Sequence, residues 1–270
     1  MKNEPEQSES RPTNSGATEA EELGRLLGVI AHEIKNPLST IKVNLRLIDE
    51  ELQNGRADKD AEQRLARARR KLAVIDKEAT RLEQILDGFL RYADRAQPRL
   101  VPLDINALLG DMVDFFLPQA LAHSITLRQS FCKEPLLCAV DADMLKQAIL
   151  NLFLNAQQAL NRSGSGQAIG PAGELMVRSA RVGQSARGEH VESAQIQISD
   201  TGIGIPADRI GRIFEPYQST RPDGSGLGLA TVKKIIDAHK GTISVVSEQG
   251  KGTAFTITLP LAAALGEVPR

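Results

Sequence analysis

The sequence predicts an α+β protein in two parts: a helical hairpin that pairs with a second copy into a dimeric four-helix bundle, followed by an α/β sandwich. Three observations carry this. Up to about residue 97, apolar residues recur in steps of three and four over two long segments, as on amphipathic helices. Beyond about residue 124, several short runs alternate instead, as in strands. Between the two regimes lies Gln97-Pro98-Arg99-Leu100-Val101-Pro102-Leu103, whose prolines resist helix and mark an extended linker.

Residues 1–18 carry Glu, Gln, Ser, Pro and Asn without apolar periodicity and read as a disordered tail. Over 18–53, Leu23, Leu27, Ile30, Ile34, Leu38, Ile41, Leu45, Ile48 and Leu52 make one helical face, and Asn54-Gly55 ends it. Leu65, Ala68, Leu72, Ile75, Ala79, Leu82, Leu86 and Phe89 then form a coiled-coil-like seam. One hairpin cannot cover both seams, and two hairpins can, so the first domain, 19–97, is expected to be a homodimer.

The second domain is expected over 98–261, with a tail at 262–270. Asp104 caps a helix that reaches about residue 123 and is kinked by Pro118. Strands are expected over 125–131 and 136–140, an apolar helix over 141–160, and a Gly/Ser-rich loop over 161–173. Strands at 174–181 and 191–199 follow, then an irregular glycine-rich stretch at 201–225 and a helix at 226–239. Two last strands, 242–248 and 253–260, flank the turn at Gly250-Lys251-Gly252. This order describes a mixed, mainly antiparallel sheet with helices on one face.

Composition narrows the function classes. A net charge of −1 leaves no electrostatic footprint for nucleic acid. No run of about 18 apolar residues offers a membrane span, and the polar N-terminus is not a signal peptide. Cys132 and Cys138 stand at a spacing that fits no metal motif and read as free thiols of a reducing compartment, so a cytoplasmic location is expected.

Four stretches concentrate chemistry. His32-Glu33-Ile34-Lys35-Asn36-Pro37-Leu38 sets an imidazole off the apolar stripe, beside a proline that should bend the helix. Asn151 and Asn155 stand four apart, so both amides leave one helical face, and an amide oxygen is a neutral hard ligand suited to Mg²⁺ shared with phosphates. Asp200-Thr201-Gly202-Ile203-Gly204 ends a strand with a pinned carboxylate and glycines that let the backbone approach a flat ligand. Gly224-Ser225-Gly226-Leu227-Gly228-Leu229 opens a helix whose freed amides form an anion nest.

Together these resemble the core of a two-component sensor histidine kinase with a GHKL-type ATPase domain. Residues 32–38 resemble the H box, 151–156 the N box, 200–204 the first glycine box, Ile213-Phe214-Glu215-Pro216-Tyr217 the F box and 224–229 the second glycine box. The resemblance spans about residues 20–260. It implies ATP and Mg²⁺ as cofactors and His32 as acceptor of the γ-phosphoryl group. Glu33 would be the base and Asn36 the residue that orients water in the reverse, phosphatase reaction. Asp200 would bind the adenine amine, Asn155 would hold Mg²⁺ and Asn151 would support it. Residues 201–225 would be an ATP lid packed by Phe214, with Arg221 meeting phosphate charge. Gly202, Gly204, Gly224, Gly226, Leu227, Gly228 and Leu229 would line the nucleotide. The implied partner is a response-regulator receiver domain, docked along Asn36, Ser39, Val43 and Leu47.

Two departures stand out. Gln158 occupies a position where many members of the family carry Lys, which removes one positive charge near the phosphates. No recognisable sensor precedes the H box, so the input is expected from a separate sensor protein, from the short tail at 1–18 or from a domain outside this sequence. The alternative reading is a nucleotide-binding scaffold or phosphatase-dominant regulator without kinase activity.

Overall fold

A computed structural model describes residues 15–53, 61–93, 97–163, 173–186, 189–218 and 226–262. The chain divides into two compact units, Met1–Ala93 and Asp94–Arg270.

The first unit is a pair of helices, α1 (Ser15–Gln53) and α2 (Ala61–Ala93). The start of α1 corrects the expected tail: the helix begins at Ser15, inside the 1–18 stretch. Ala17, Ala20 and the glutamates at 19, 21 and 22 are strong helix formers and carry the helix past its first apolar residue. Residues 1–14 and the turn expected at Asn54-Gly55 lie outside the described residues. The helix continues through Pro37, whose ring is buried. Around that position Ser39 Oγ donates to Lys35 O at 2.8 Å and Thr40 Oγ1 to Asn36 O at 3.3 Å, side-chain bonds of the kind that accompany bent helices.

The apolar stripes of the hairpin are only partly covered by each other. Ile30 and Ile85 are buried, yet Leu45, Leu52, Leu65, Leu72 and Leu86 remain about half exposed or more. Nearer the far end, Lys71 Nζ donates to Glu51 Oε1 at 2.6 Å and to Leu47 O at 3.3 Å, holding the two helices in register.

In the second unit, β1 (Val101–Asp104) pairs antiparallel with β3 (Leu137–Val140) as a separate two-stranded sheet. The linker reading is therefore corrected over Val101–Leu103. Pro102 has no N–H to give a ladder, but in a two-stranded sheet every strand is an edge and can host it. Helix α3 (Ile105–Ala122) follows directly, capped as expected by Asp104, whose Oδ1 accepts from Asn106 N at 3.1 Å. The same oxygen accepts from Leu136 N at 3.0 Å and so ties the cap to the entry of β3. Asp104→Ala is expected to cost about 1–2 kcal/mol, read as a lower urea midpoint at unchanged m-value.

The main sheet has the order β2-β4-β5-β7-β6. Its strands are β2 (Thr126–Ser130), β4 (Glu174–Ala186), β5 (Glu189–Asp200), β6 (Thr242–Glu248) and β7 (Gly252–Pro260). Only β2–β4 is parallel. Period-two alternation sends Val177, Ile198 and Phe255 to one face as direct cross-strand neighbours, with Ile196 opposite Ile257 in the next row. The opposite face carries Arg178, Gln195, Gln197, Thr256 and Thr258.

Helices α3, α4 (Ala142–Ser163) and α6 (Gly228–Ala238) close the apolar face, and a short α5 (Ala207–Ile210) precedes α6. α5 falls in the stretch expected to be irregular; Pro206 leads into it with an extended backbone. Phe116 of α3 and Phe153 of α4 are fully buried, with ring centroids 5.2 Å apart. The core therefore lies between this helix layer and the sheet. Its last inward row, Leu175–Asp200–Thr253, ends in a carboxylate instead of an aliphatic side chain.

Candidate nucleotide and phospho-acceptor sites

Asp200 follows Ile196 and Ile198 at period two, so its side chain projects to the helix-covered side, where it is only 8% exposed. Its Oδ1 accepts from Gly202 N at 2.8 Å, which folds the chain back at the strand end and fixes the carboxylate. A Cβ at Gly202 would stand 2.7 Å from Ala159 Cβ and 2.8 Å from Asp200 Oδ1. Gly204 has φ +67°, and a Cβ there would stand 2.1 Å from Glu248 O. These two glycines let the segment thread between α4 and the β6–β7 turn. The passage is stitched by Gly250 N to Ile203 O and Ile205 N to Ser247 Oγ, both 2.8 Å.

α4 supplies the opposite wall. Leu145, Ile149, Leu152, Phe153 and Ala156 are buried, which sets the rotation of the helix. Asn151 and Asn155 are half-buried, and Gln158 is exposed. Asn151 Nδ2 stands 3.5 Å from Gly228 O, joining α4 to the first turn of α6. With the amide in this orientation its Oδ1 is the end left to accept or ligate.

The start of α4 is held by Asp141, whose Oδ1 accepts from Asp143 N and Met144 N at 3.1 Å. Burial works to raise this carboxyl. The N–H groups of Met144, Arg99 and Asp143 and the nearby His239 outweigh it and hold it below the usual carboxylate range. His239, at the end of α6, accepts from Asp141 N through Nε2 at 2.9 Å. α6 is thus joined to α4 at both of its own ends.

The segment between the glycine boxes is anchored on both sides. Phe214 packs edge-on to Phe255 of β7, with centroids 6.3 Å apart. Tyr217 N donates to Gly226 O at 2.9 Å, and Gly226, at φ +65°, backs so closely onto Tyr217 that a Cβ would stand 2.6 Å from Tyr217 Cα. Leu227 is buried, and Gly228 and Leu229, both half-buried, open α6. Arg221 and Gly224 lie outside the described residues.

Sequence reasoning gave no site role to Ser247 or Thr253. Ser247 Oγ takes the Ile205 N–H and lies 2.9 Å from Thr253 Oγ1, beneath the glycine segment. The available signal was a polar residue closing an inward apolar row, Ile243–Val245–Ser247. Neither cysteine belongs to this site: Cys138 is buried, and that burial, with the Asp104 charge, pushes its thiol up to about 12.

In the first unit His32 and Asn36 are exposed one turn apart, as their position off the stripe predicts. Val43 and Leu47 continue that face and are exposed as well. Glu33 is half-buried, turned toward α2, with Oε2 3.7 Å from Arg81 Nη2.

Residues 22–98 match the family model described as the His Kinase A (phospho-acceptor) domain. Residues 140–263 match that of the histidine kinase-, DNA gyrase B- and HSP90-like ATPases. The chain therefore carries a phospho-acceptor domain followed by an ATPase domain, and belongs to the histidine kinase family. It is 34% identical over 241 residues to the sensor histidine kinase ZraS of Klebsiella oxytoca, covering 88% of this chain and 46% of that one. Sporulation kinase A of Bacillus subtilis is 31% identical over 257 residues, covering 94% and 38%. The chain thus spans about half the length, or less, of these relatives. Among solved structures, histidine kinase ThkA in complex with response regulator protein TrrA aligns at a TM-score of 0.66 and 22% identity, covering 91% of this chain and 64% of that one. ShkA in complex with AMPPNP aligns at 0.54 and 24%, covering 88% and 46%. These two likenesses concern the fold. No described helix is long and apolar enough to cross a membrane.

Proposed function

We propose that this chain is the catalytic core of an ATP-dependent protein histidine kinase. It would phosphorylate its own His32, pass the phosphoryl group to the aspartate of a response-regulator receiver domain, and act on that regulator as a phosphatase. The observation that carries the reading is an exposed His32 within the phospho-acceptor match, on the same chain as a glycine-shaped cradle around a fixed carboxylate. Residues 19–97 serve dimerisation and phosphotransfer, and 98–261 bind ATP.

The donor set fits the nucleotide. Asp200 offers a fixed acceptor to an exocyclic amine, and Gly202 and Gly204 let the segment after it pack against Ala159 and Glu248, which holds that carboxylate in place. Asn155, with Asn151 beside it, offers amide oxygens to Mg²⁺, which characteristically takes few protein ligands and shares its phosphates. Gly226, Leu227, Gly228 and Leu229 present the N-terminal amides of α6 to phosphate, with Gly224 and Arg221 assigned to the same task. Gln158 makes that end less positive than a lysine would, so slower ATP use is expected.

Phosphoryl transfer asks the protein for an in-line nucleophile and for charge neutralisation. The imidazole of His32 attacks, the phosphorus–oxygen bond to ADP breaks, and Glu33 takes the proton from the other ring nitrogen. Asn36, one turn along, orients water for the reverse reaction on the regulator. The exposed Val43 and Leu47 suit a receiver domain, and the half-covered leucines of the hairpin suit a second copy. Dependence on ATP and two free thiols favour the cytoplasm. A separate protein, or a segment outside this sequence, would supply the signal.

Incubation with γ-labelled ATP tests the reading. An acid-labile, alkali-stable label is expected on the wild type and none on His32→Gln. Unlabelled wild-type protein that still binds ATP would favour the scaffold reading instead.

A further inference from the structure

We propose that Arg81 of α2 is a positioning residue for autophosphorylation: it holds Glu33 so that one carboxylate oxygen is anchored across the hairpin while the other serves His32. The inference rests on the kinase reading above and assigns a role to a residue outside every motif of the sequence.

Its basis is the geometry of the hairpin. Residues 32 and 33 are neighbours on α1 and so point about 100° apart around the helix. His32 takes the exposed direction, and Glu33 takes the direction toward α2. A glutamate there, with three rotatable bonds, would otherwise share its time between solvent and the imidazole. Arg81 Nη2 stands 3.7 Å from Glu33 Oε2, with side chains only 24% and 35% exposed. Arg81 and Glu33 are paired with each other and with no other described residue, and the approach is at Oε2.

The guanidinium thus faces Oε2, and Oε1 is the oxygen assigned to His32. In the reaction, a phosphorus–nitrogen bond forms at His32, the bond to the ADP oxygen breaks, and ADP leaves with the electron pair. The proton on the other imidazole nitrogen moves to Glu33, at the oxygen Arg81 does not hold. In this role Arg81 works through Glu33, by reducing the orientations that carboxylate must search.

The test compares Arg81→Gln, Arg81→Lys and Glu33→Gln, alone and combined, in the full chain, reading the initial rate of His32 labelling against ATP concentration. Arg81→Gln is expected to lower kcat by about tenfold, less than the ~10²–10⁴ a general base contributes, with KM for ATP unchanged. Arg81→Lys, which keeps the charge, is expected to restore most of the rate. Adding Arg81→Gln to Glu33→Gln is expected to cost nothing further, because the group being positioned is already gone. An unchanged rate in Arg81→Gln, a rise in KM instead of a fall in kcat, or a full additional loss in the double variant would each overturn the proposal. A wild type without label would overturn the kinase reading itself. In that event the ¹³C signal of the Glu33 carboxylate decides the contact: a shift in Arg81→Gln supports the anchoring, and an unmoved signal overturns it.

Discussion

Asp200→Asn is expected to weaken ATP binding by about 100-fold while leaving folding stability within about 1 kcal/mol of the wild type. The substitution is nearly isosteric, and it keeps an acceptor for the Gly202 N–H that now reaches Oδ1 at 2.8 Å. What changes is the other end of the group: in the proposed adenine contact, an acceptor oxygen would become an N–H₂ donor facing the donor of the adenine amine. A buried donor facing a donor costs both groups their hydrogen bond. Calorimetric titration with ATP and Mg²⁺ measures the first expectation and urea unfolding the second. Wild-type affinity in Asp200→Asn would remove this carboxylate from the adenine site.

Gly252→Ala is expected to damage the second unit severely, lowering stability by about 3 kcal/mol or more. Two penalties add. The residue sits at φ +120°, a region costly for any residue with a Cβ, by about 1–3 kcal/mol. The new Cβ would also stand 1.9 Å from the carbonyl oxygen of Asp200, and forced repacking of that kind costs about 1–3 kcal/mol more. Relief requires the end of β5 to move, and the Asp200 carboxylate moves with it. Stability and ATP affinity should therefore fall together, unlike the result at Asp200 itself. Thermal unfolding with and without ATP separates the two cases, and an unaltered melting temperature would contradict the close approach.

These two substitutions also mark how much was legible in the sequence. The helices α1, α2 and α4 announce themselves through apolar steps of three and four, and Asp104 through its place before an apolar run. Asp200 stands out because it ends an alternating strand and is followed by glycines. β1 was hidden because Pro102 argues against a strand unless the strand is known to lie at an edge. α5 was hidden because one turn of helix is too short to show a period. The first turns of α1 were hidden because they bear no apolar face, only good helix formers.

The site was legible where a single segment carries it and illegible where it depends on register. Nothing local to Thr253 or Ser247 says that the β6–β7 pairing brings them together under the glycine segment. Nothing local to Arg81 says that it meets Glu33, 48 positions earlier in the chain. Such contacts follow from how two elements align, and periodicity fixes the face of each element but not its offset along the partner.

The uncovered leucines of the hairpin have a consequence for how the molecule should behave in dilute solution. The ATPase unit encloses its own core, so its folding is unimolecular. In the dimer proposed above, the hairpin completes its core with a second chain, so mass action enters its folding equilibrium. Dilution then acts on one half of the molecule as a denaturant would and spares the other. In that dimer the abundance of the protein in a cell would become a variable of its signalling, because the half that bears His32 would be whole only where enough copies meet.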